Sequence, residues 1–326
     1  MPKMTLKNKS VAVTGGAGLI GSYLVEQLVS IGSRVIVIDD LSKGSLANLE
    51  SVIDQIEFRE CNLEDRLASL EALVDCDIVF HLASRAFGVG YSSKHHLEIL
   101  DHNELITNNL FSCLAVTKPS AILVTSSSCV YPDDGPNIVP ELSLFSDEPE
   151  FVNWGYGWAK RFLEQKAVIF SKQTGIPVSI VRPFNIYGER YNWVGNASQA
   201  IPMLVKRVLD GEDPVTIWGS GKQRRNYIHA SDCARLMIDV LMSGNSHPVN
   251  IGTEDTISMT ELVALICRLS SLSPQISCDP TKPEGRFIKS SNSSLLKSVV
   301  NRDNLLEVSI EEGITRMISW YHKTFS

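Results

Sequence analysis

A short apolar run, Ser10-Val11-Ala12-Val13-Thr14, leads directly into Gly15-Gly16-Ala17-Gly18-Leu19-Ile20-Gly21. The run reads as a buried strand. Beyond the glycines, Leu19, Ile20, Tyr23, Leu24, Leu28 and Ile31 fall on one face at helical spacing, and Gly32 stands where a helix C-cap belongs. A strand that becomes a helix through glycines at 15, 18 and 21 leaves few folds open. Without side chains the backbone can turn tightly and approach a pyrophosphate, which the exposed amides and dipole of the helix N-terminus stabilise. A second strand, Arg34 to Ile38, ends at Asp39-Asp40, and Asp39 lies 18 residues beyond Gly21. A carboxylate there can accept adenosine ribose hydroxyls and would repel a 2′-phosphate, so the pattern favours NAD over NADP. Lys43, close by, weighs against that preference.

Further apolar strands are expected at Asp77 to Leu82, Ala121 to Thr125 and Val178 to Val181, with helical stretches between most of them. Strands without polar alternation are covered on both faces. The expected class is therefore α/β, a doubly wound parallel sheet of the Rossmann type. From about Glu189 the periodicity loosens, and Pro, Gly, Asn and Ser become frequent. A smaller, irregular α/β C-terminal region is expected there, carrying substrate specificity.

Composition narrows the partners. A net charge of −7 over 326 residues provides no basic field for nucleic acid, so an anionic ligand must be held by a few local cations and backbone amides. Seven cysteines, with no Cys-x-x-Cys pair, read as reduced cytoplasmic thiols and not as a metal site. No segment approaches the 18 continuous apolar residues of a membrane span, so no membrane is expected as a partner. Three lysines before the first apolar run imitate a signal peptide, but no small-residue cleavage site follows.

The second chemical signal is Tyr156-Gly157-Trp158-Ala159-Lys160. On a helix, residues four apart share a face. A phenol of pKa about 10 is a poor base at neutral pH. A neighbouring ammonium and a positive nicotinamide ring would stabilise the phenolate and bring it towards working range. Alone, the spacing describes an ordinary amphipathic helix with a surface lysine. The glycine loop and Ser126-Ser127-Ser128 at a strand end give it meaning.

These segments together resemble the NAD-dependent nucleotide-sugar epimerase/dehydratase family of extended short-chain dehydrogenases/reductases. The resemblance runs through residues 14–21, Asp39-Asp40-Leu41-Ser42, Val79 to Ala83, Ser127-Ser128-Cys129-Val130-Tyr131, Tyr156 with Lys160, and Arg182 to Gly188. It continues through Ile217 to Arg225 and Asn250 to Thr253. The family implies that Tyr156 exchanges the proton of a sugar C4 hydroxyl, Ser127 holds the same oxygen, and Lys160 supports the phenolate. It implies an NAD site from Gly15, Gly18, Leu19, Ile20, Asp39, Asp40, Lys43, Asn62, Leu63, Leu82, Ala83, Ser84, Asn109, Pro183 and Ile186, with Tyr156 and Lys160. Asn62-Leu63 replaces the usual acidic residue near adenine. A nucleotide-diphosphate sugar, GDP- or UDP-linked, would meet Ser128, Asn185, Gln199, Trp218, Arg225 and Arg286, with Lys289 competing with Arg286 for the diphosphate. Trp218 could equally pack in the core.

The resemblance further implies a cytoplasmic homodimer serving polysaccharide biosynthesis. It divides the chain into a cofactor domain, 1–186 plus about 226–253, and a sugar-nucleotide domain, about 187–225 and 254–326. The stretch between Asn109 and Ala121 is shorter than usual, so a truncated helix is expected.

The segment around Cys129 is similar to that of the GDP-mannose 3,5-epimerase and GDP-fucose synthase branches, where the cysteine is an acid/base. A 4-ketone acidifies the hydrogens at C3 and C5, and a thiolate can remove one. An unperturbed thiol is only a few per cent ionised at neutral pH and needs local help; most single cysteines simply pack. The partner residues of those branches fall on Gln199 and Val194, neither of which exchanges a proton. The Asp-Glu pair of 4,6-dehydratases falls on Ser128 and Cys129. His81 reads as structural, His95, His96 and His102 as solvated, and Glu141, Asp147 and Glu148 as a rim over the site. An epimerase is the first expectation. A 4-dehydrogenase or dehydratase of the same family, and a non-catalytic NAD-sensing protein, remain as alternatives.

Overall fold

Seven parallel strands form the central sheet of the computed structural model, which describes residues 4–144, 147–195, 198–282 and 284–325. In chain order they are Ser10–Thr14, Arg34–Asp39, Ile56–Glu60, Ile78–His81, Ala121–Thr125, Val178–Pro183 and Val249–Ile251. Across the sheet they run third, second, first, fourth, fifth, sixth, seventh. The order reverses between the first and fourth strands, and the crevice at such a reversal is where doubly wound sheets bind ligands. Thr14 ends level with Ile38 on one side and His81 on the other, so the first glycines emerge at the carboxyl edge.

Successive side chains of each strand enter different cores, as period-two geometry requires. Val11, Val13, Val35 and Val37 meet Leu24 and Leu28 of the Leu19–Ile31 helix and Met237 and Leu241 of the Ala230–Ser243 helix. Ala12, Ile36, Ile38, Val79 and Val124 face Leu110 and Leu114 of the His96–Thr117 helix and Leu163 and Ala167 of the Trp154–Thr174 helix. The His96–Thr117 helix runs unbroken for 22 residues and closes on a left-handed Lys118 only nine residues beyond Asn109. Three residues then lead into the next strand.

A third core gathers Ile201, Val205, Ile217, Leu262, Ile266, Ile314 and Met317. It is built on the helices Ala200–Leu209, Met259–Ser270 and Ile310–Phe325. Beside it a four-stranded sheet joins Ile257–Ser258, Arg224–Arg225, Ile288–Ser291 and Ile138–Val139 in that order. Arg225 is registered against Lys289, and Ser290 against Ile138. This small sheet ties late chain to the segment following Cys129.

Candidate active site

The glycine loop closes because three residues have no side chain to obstruct it. Gly15 takes φ +70°, its N–H donates to Ile38 O (2.8 Å), and Gly18 N–H reaches back to Gly15 O (3.2 Å). A Cβ on Gly21 would lie 2.1 Å from Gly15 O, so another residue there must displace the loop. Gly18 caps the helix without any side-chain bond, leaving the first helical amides open to the crevice. Asp39 closes the far side: Oδ2 accepts from Ala17 N–H and Oδ1 from Leu41 N–H, both at 2.9 Å. Burial nevertheless lifts its carboxyl above the usual range.

A cavity of about 730 Å³ opens over this loop and continues to the second region. Every residue singled out above as catalytic, cofactor-binding or substrate-binding lines it, except Asn109. Asn109 is buried beneath, and its Nδ2 donates to Leu63 O (3.0 Å) and Glu64 O (2.8 Å). Its expected place on the cofactor wall is therefore corrected. It shapes that wall only through the Leu63–Glu64 turn. Lys43 lies on the wall, but its ammonium donates to Ala86 O, and burial lowers its pKa to about 8. Asp40 pairs with Arg85 at 2.9 Å.

Tyr156 and Lys160 stand on the first turns of the Trp154–Thr174 helix. Gly157 lets this helix approach the turn after the fifth strand and the Pro149 loop, because a Cβ there would fall 2.6 Å from Cys129 O and 2.5 Å from Pro149 Cβ. Lys160 Nζ lies 5.5 Å from the centre of the Tyr156 ring and donates to Thr125 O at 2.9 Å. Burial lowers its pKa to about 8, against the opposing pull of Cys129 and Glu164. Burial pushes the Tyr156 phenol well above its ordinary value, with a hydrogen bond from Ser84 pulling the other way. Tyr191, which the sequence reading passed over, raises a second phenol close to Tyr156 and bonds to Gln199. Gln199 also donates to Phe87 O at 3.2 Å.

The Ser126–Tyr131 turn is held by ionic bonds in the interior. Arg161 of the same helix donates to Val130 O from Nε (2.9 Å) and Nη2 (2.7 Å). Arg182 meets both oxygens of Glu164 at 2.8 and 2.6 Å, Ser126 donates to Oε1 of that carboxylate at 2.5 Å, and Arg182 reaches Tyr131 at 2.7 Å. On the turn, Ser127 Oγ accepts from Cys129 N–H (3.1 Å), so its own O–H is available to a ligand.

Cys129 faces an ion pair. Lys289 Nζ lies 2.6 Å from Glu150 Oε2 and 3.9 Å from Cys129 Sγ, and Asn153 Nδ2 donates to the other Glu150 oxygen at 2.5 Å. Burial and the Glu150 charge raise the thiol to about 12, with Lys289 opposing. Glu150 stays below and Lys289 above its ordinary value, because each charge outweighs the other's burial. In the sequence Lys289 competes only for the diphosphate, and no motif marks Glu150. The acids expected at the rim do not line the cavity, and Glu141 instead accepts from Asn250 N–H at 2.9 Å.

Arg225 and Arg286 line the cavity on the Lys289 side. Arg225 donates to Arg224 O (2.8 Å), Phe287 O (3.3 Å) and Glu284 O (3.2 Å). Arg286 donates to Pro132 O (3.3 Å), Gly135 O (2.6 Å) and Pro136 O. Trp218 is 39% exposed on this wall, so it does not pack in the core. Arg224 turns away to Thr256. Asn185, at φ +45°, donates to Asn226 Oδ1 at 2.9 Å. His81 is buried against Thr14 Oγ1 at 2.8 Å, as its structural reading expects. His96 is not fully solvated: its ring packs against Phe151 and Trp154.

The model of the NAD dependent epimerase/dehydratase family matches residues 11–252. A UDP-N-acetyl-alpha-D-glucosaminuronate decarboxylase from Bacillus cytotoxicus is 29% identical over 97% of this chain and 98% of its own. A GDP-mannose 3,5-epimerase from Arabidopsis thaliana is 26% identical over 89% of this chain and 77% of its own. Among solved structures, the UDP-glucose 4-epimerase of Thermotoga maritima with UDP-glucose superimposes with a TM-score of 0.86. It is 27% identical and covers 97% of this chain and 100% of its own.

Proposed function

Because the chain belongs to the NAD dependent epimerase/dehydratase family, we propose that it epimerises a nucleoside-diphosphate sugar, GDP- or UDP-linked, through a transient 4-ketone. In this reading residues 1–186 with about 226–253 form the cofactor half, and about 187–225 with 254–326 the sugar-nucleotide half. The glycine cradle supports an NAD site, since it leaves backbone amides where a pyrophosphate can approach. Gly15, Gly18, Leu19 and Ile20 would hold the pyrophosphate, Asp39 and Asp40 the ribose end, and Asn62 and Leu63 the adenine. Bound there, NAD would supply a reversible hydride acceptor for the sugar C4.

Tyr156 accepts the C4 hydroxyl proton. Burial makes its phenolate hard to form, and the Lys160 ammonium at the ring supplies the offsetting charge. Lys160 is still largely protonated at neutral pH, because its lowered pKa is about 8. Ser127 donates to the same sugar oxygen with the O–H that its acceptor role leaves free. With the ketone formed, Cys129 exchanges the proton on a neighbouring carbon. Arg225 and Arg286, with five N–H donors each and three bonds each to carbonyls, retain the capacity to face a diphosphate.

The observation that carries this reading is one cavity shared by the glycine loop, Tyr156, Lys160, Ser127 and Cys129. Incubation with NAD and GDP- and UDP-sugars in deuterated water tests it. An epimer bearing deuterium at C3 or C5 is expected. Accumulating NADH would identify a dehydrogenase instead, and loss of water or carbon dioxide a lyase. No turnover on any sugar would favour a non-catalytic protein.

A further inference from the structure

The reading of Cys129 as an acid/base leaves open what sets its protonation. The residues at Gln199 and Val194 cannot do so, and a thiol near pKa 12 does not ionise unaided at neutral pH. We propose that Lys289, fixed by Glu150, is the positioning partner of Cys129, the three side chains forming one proton-exchange unit on a single face of the sugar site. The proposal rests on the acid/base reading of Cys129 and deepens it.

Three distant segments build the unit. Cys129 comes from the turn after the fifth strand, Glu150 from the loop before the Tyr156 helix, and Lys289 from the small sheet. Lys289 and Glu150 are 8% and 7% exposed, so their 2.6 Å ion pair is shielded from water, and Asn153 fixes the second carboxylate oxygen. A buried ion pair is weak evidence of stability, and one whose ammonium lies 3.9 Å from the Cys129 thiol, in the cavity that Tyr156 also lines, invites a chemical role. The other charged and titratable groups facing the unit are Tyr156, Lys160, Arg225 and Arg286.

The charges have definite signs. A thiolate beside Glu150 alone is repelled, and the intervening ammonium offsets that repulsion. In the step itself the Cys129 thiolate takes the proton from the carbon beside the ketone. A new S–H bond forms, and the C–H electron pair passes into the enolate. Returning a proton to that same face restores both the thiolate and the configuration of the carbon, so the unit exchanges the hydrogen there, inversion being left to the hydride returned at C4, and Lys289 stays charged throughout. Two groups that flank a sugar ring must stand roughly 7 Å apart, twice a van der Waals contact. At 3.9 Å, Cys129 and Lys289 therefore act from the same side.

The pH dependence of Cys129 alkylation by iodoacetamide, followed by peptide mass on the full-length protein with NAD, tests the pairing without any sugar. Lys289→Met is expected to slow alkylation at neutral pH about tenfold or more, corresponding to a thiol pKa raised by at least about one unit. Glu150→Gln is expected to accelerate it, and Lys289→Arg to stay near wild type. A merely loosened cavity would accelerate both Lys289→Met and Glu150→Gln; that result, or unchanged profiles in both, overturns the pairing. Should Lys289→Met fail to fold, an unaltered profile in Glu150→Gln is by itself enough to overturn it. Opposite shifts in the two variants, with no sugar hydrogen exchanged in deuterated water by the wild type, would uphold the pairing and sink the epimerase reading.

Discussion

At the scale of single residues, Tyr156 carries the heaviest demand. Its phenol is raised by burial, yet the proposed reaction uses it as a base, and in that proposal the Lys160 ammonium, 5.5 Å from the ring centre, makes up the difference. Tyr156→Phe keeps the ring and its packing while removing the one exchangeable proton. Turnover should fall by about 10²–10⁴-fold. NAD affinity measured by fluorescence titration should change far less than turnover, and a variant that still turns over at wild-type rate would remove Tyr156 from the chemistry. His81 shows how a residue in the same crevice can be structural. It is neutral and buried against Thr14, and burial, then Lys160, lower its pKa to about 3 from an ordinary 6.5. Above pH 6.5 neither state protonates it. Between 6.5 and 3 the unfolded chain binds a proton that the folded chain refuses, so stability drains away as pH falls, by up to about 1.4 kcal/mol per pH unit. Urea unfolding across that window should show a shallower acid limb in His81→Asn than in wild type, and parallel limbs would exclude His81 as the source.

Elements explain why some of this was readable in sequence and some was not. The first two strands, the glycine turn and the Leu19–Ile31 helix were legible because local patterning and local chemistry agree there, down to Gly32 at φ +88° bonding back to Leu28 and Val29. Gly21→Ala tests the tightest of these contacts. A Cβ 2.1 Å from Gly15 O must push the loop outward, and each 1.4 kcal/mol of displacement weakens NAD binding about tenfold. Calorimetric titration with NAD should register that loss, while the folded fraction by circular dichroism stays high. The third strand, Ile56–Glu60, escaped because it alternates charged and apolar residues at a half-exposed edge. The seventh, Val249–Ile251, is only three residues long. The Arg182–Glu164 pair also lay beyond reach, joining the sixth strand to a helix 18 residues earlier, where neither pattern nor motif marks a partner. Glu164→Gln leaves the Arg182 charge buried without its counter-ion and should destabilise the fold by about 3–5 kcal/mol in chemical denaturation.

At the scale of the whole molecule, the fold brings together what sequence distance separates. Cys129, Glu150 and Lys289 meet only because the small sheet pairs Ile288–Ser291 with Ile138–Val139 across two cores. Every signal for the cofactor loop was local. The proton-handling partner had none, since its neighbours are set by long loops. The same distinction between inside and outside applies to the helix pair His96–Thr117 and Trp154–Thr174. Their shared seam is closed by Phe111 against Phe170, 5.2 Å between rings, and by Lys166 bonded to Glu104 at 2.7 Å. Their outer faces still carry Leu105 and Val116 at 44% and 61% exposure, eleven residues or three turns apart, and Phe162 and Ile169 at 42% and 45%, seven apart. Apolar side chains repeated along each of two adjacent helices are the kind of surface a protein partner can cover. A second copy of this chain, presenting the same pair about a two-fold axis, would bury both stripes at once. Sedimentation of the wild type should therefore give a dimer. Phe162→Glu with Ile169→Glu should give a monomer that keeps the NAD site, because neither residue lines that cavity. A wild-type protein that stays monomeric at the highest attainable concentration would mean that this face serves a different partner.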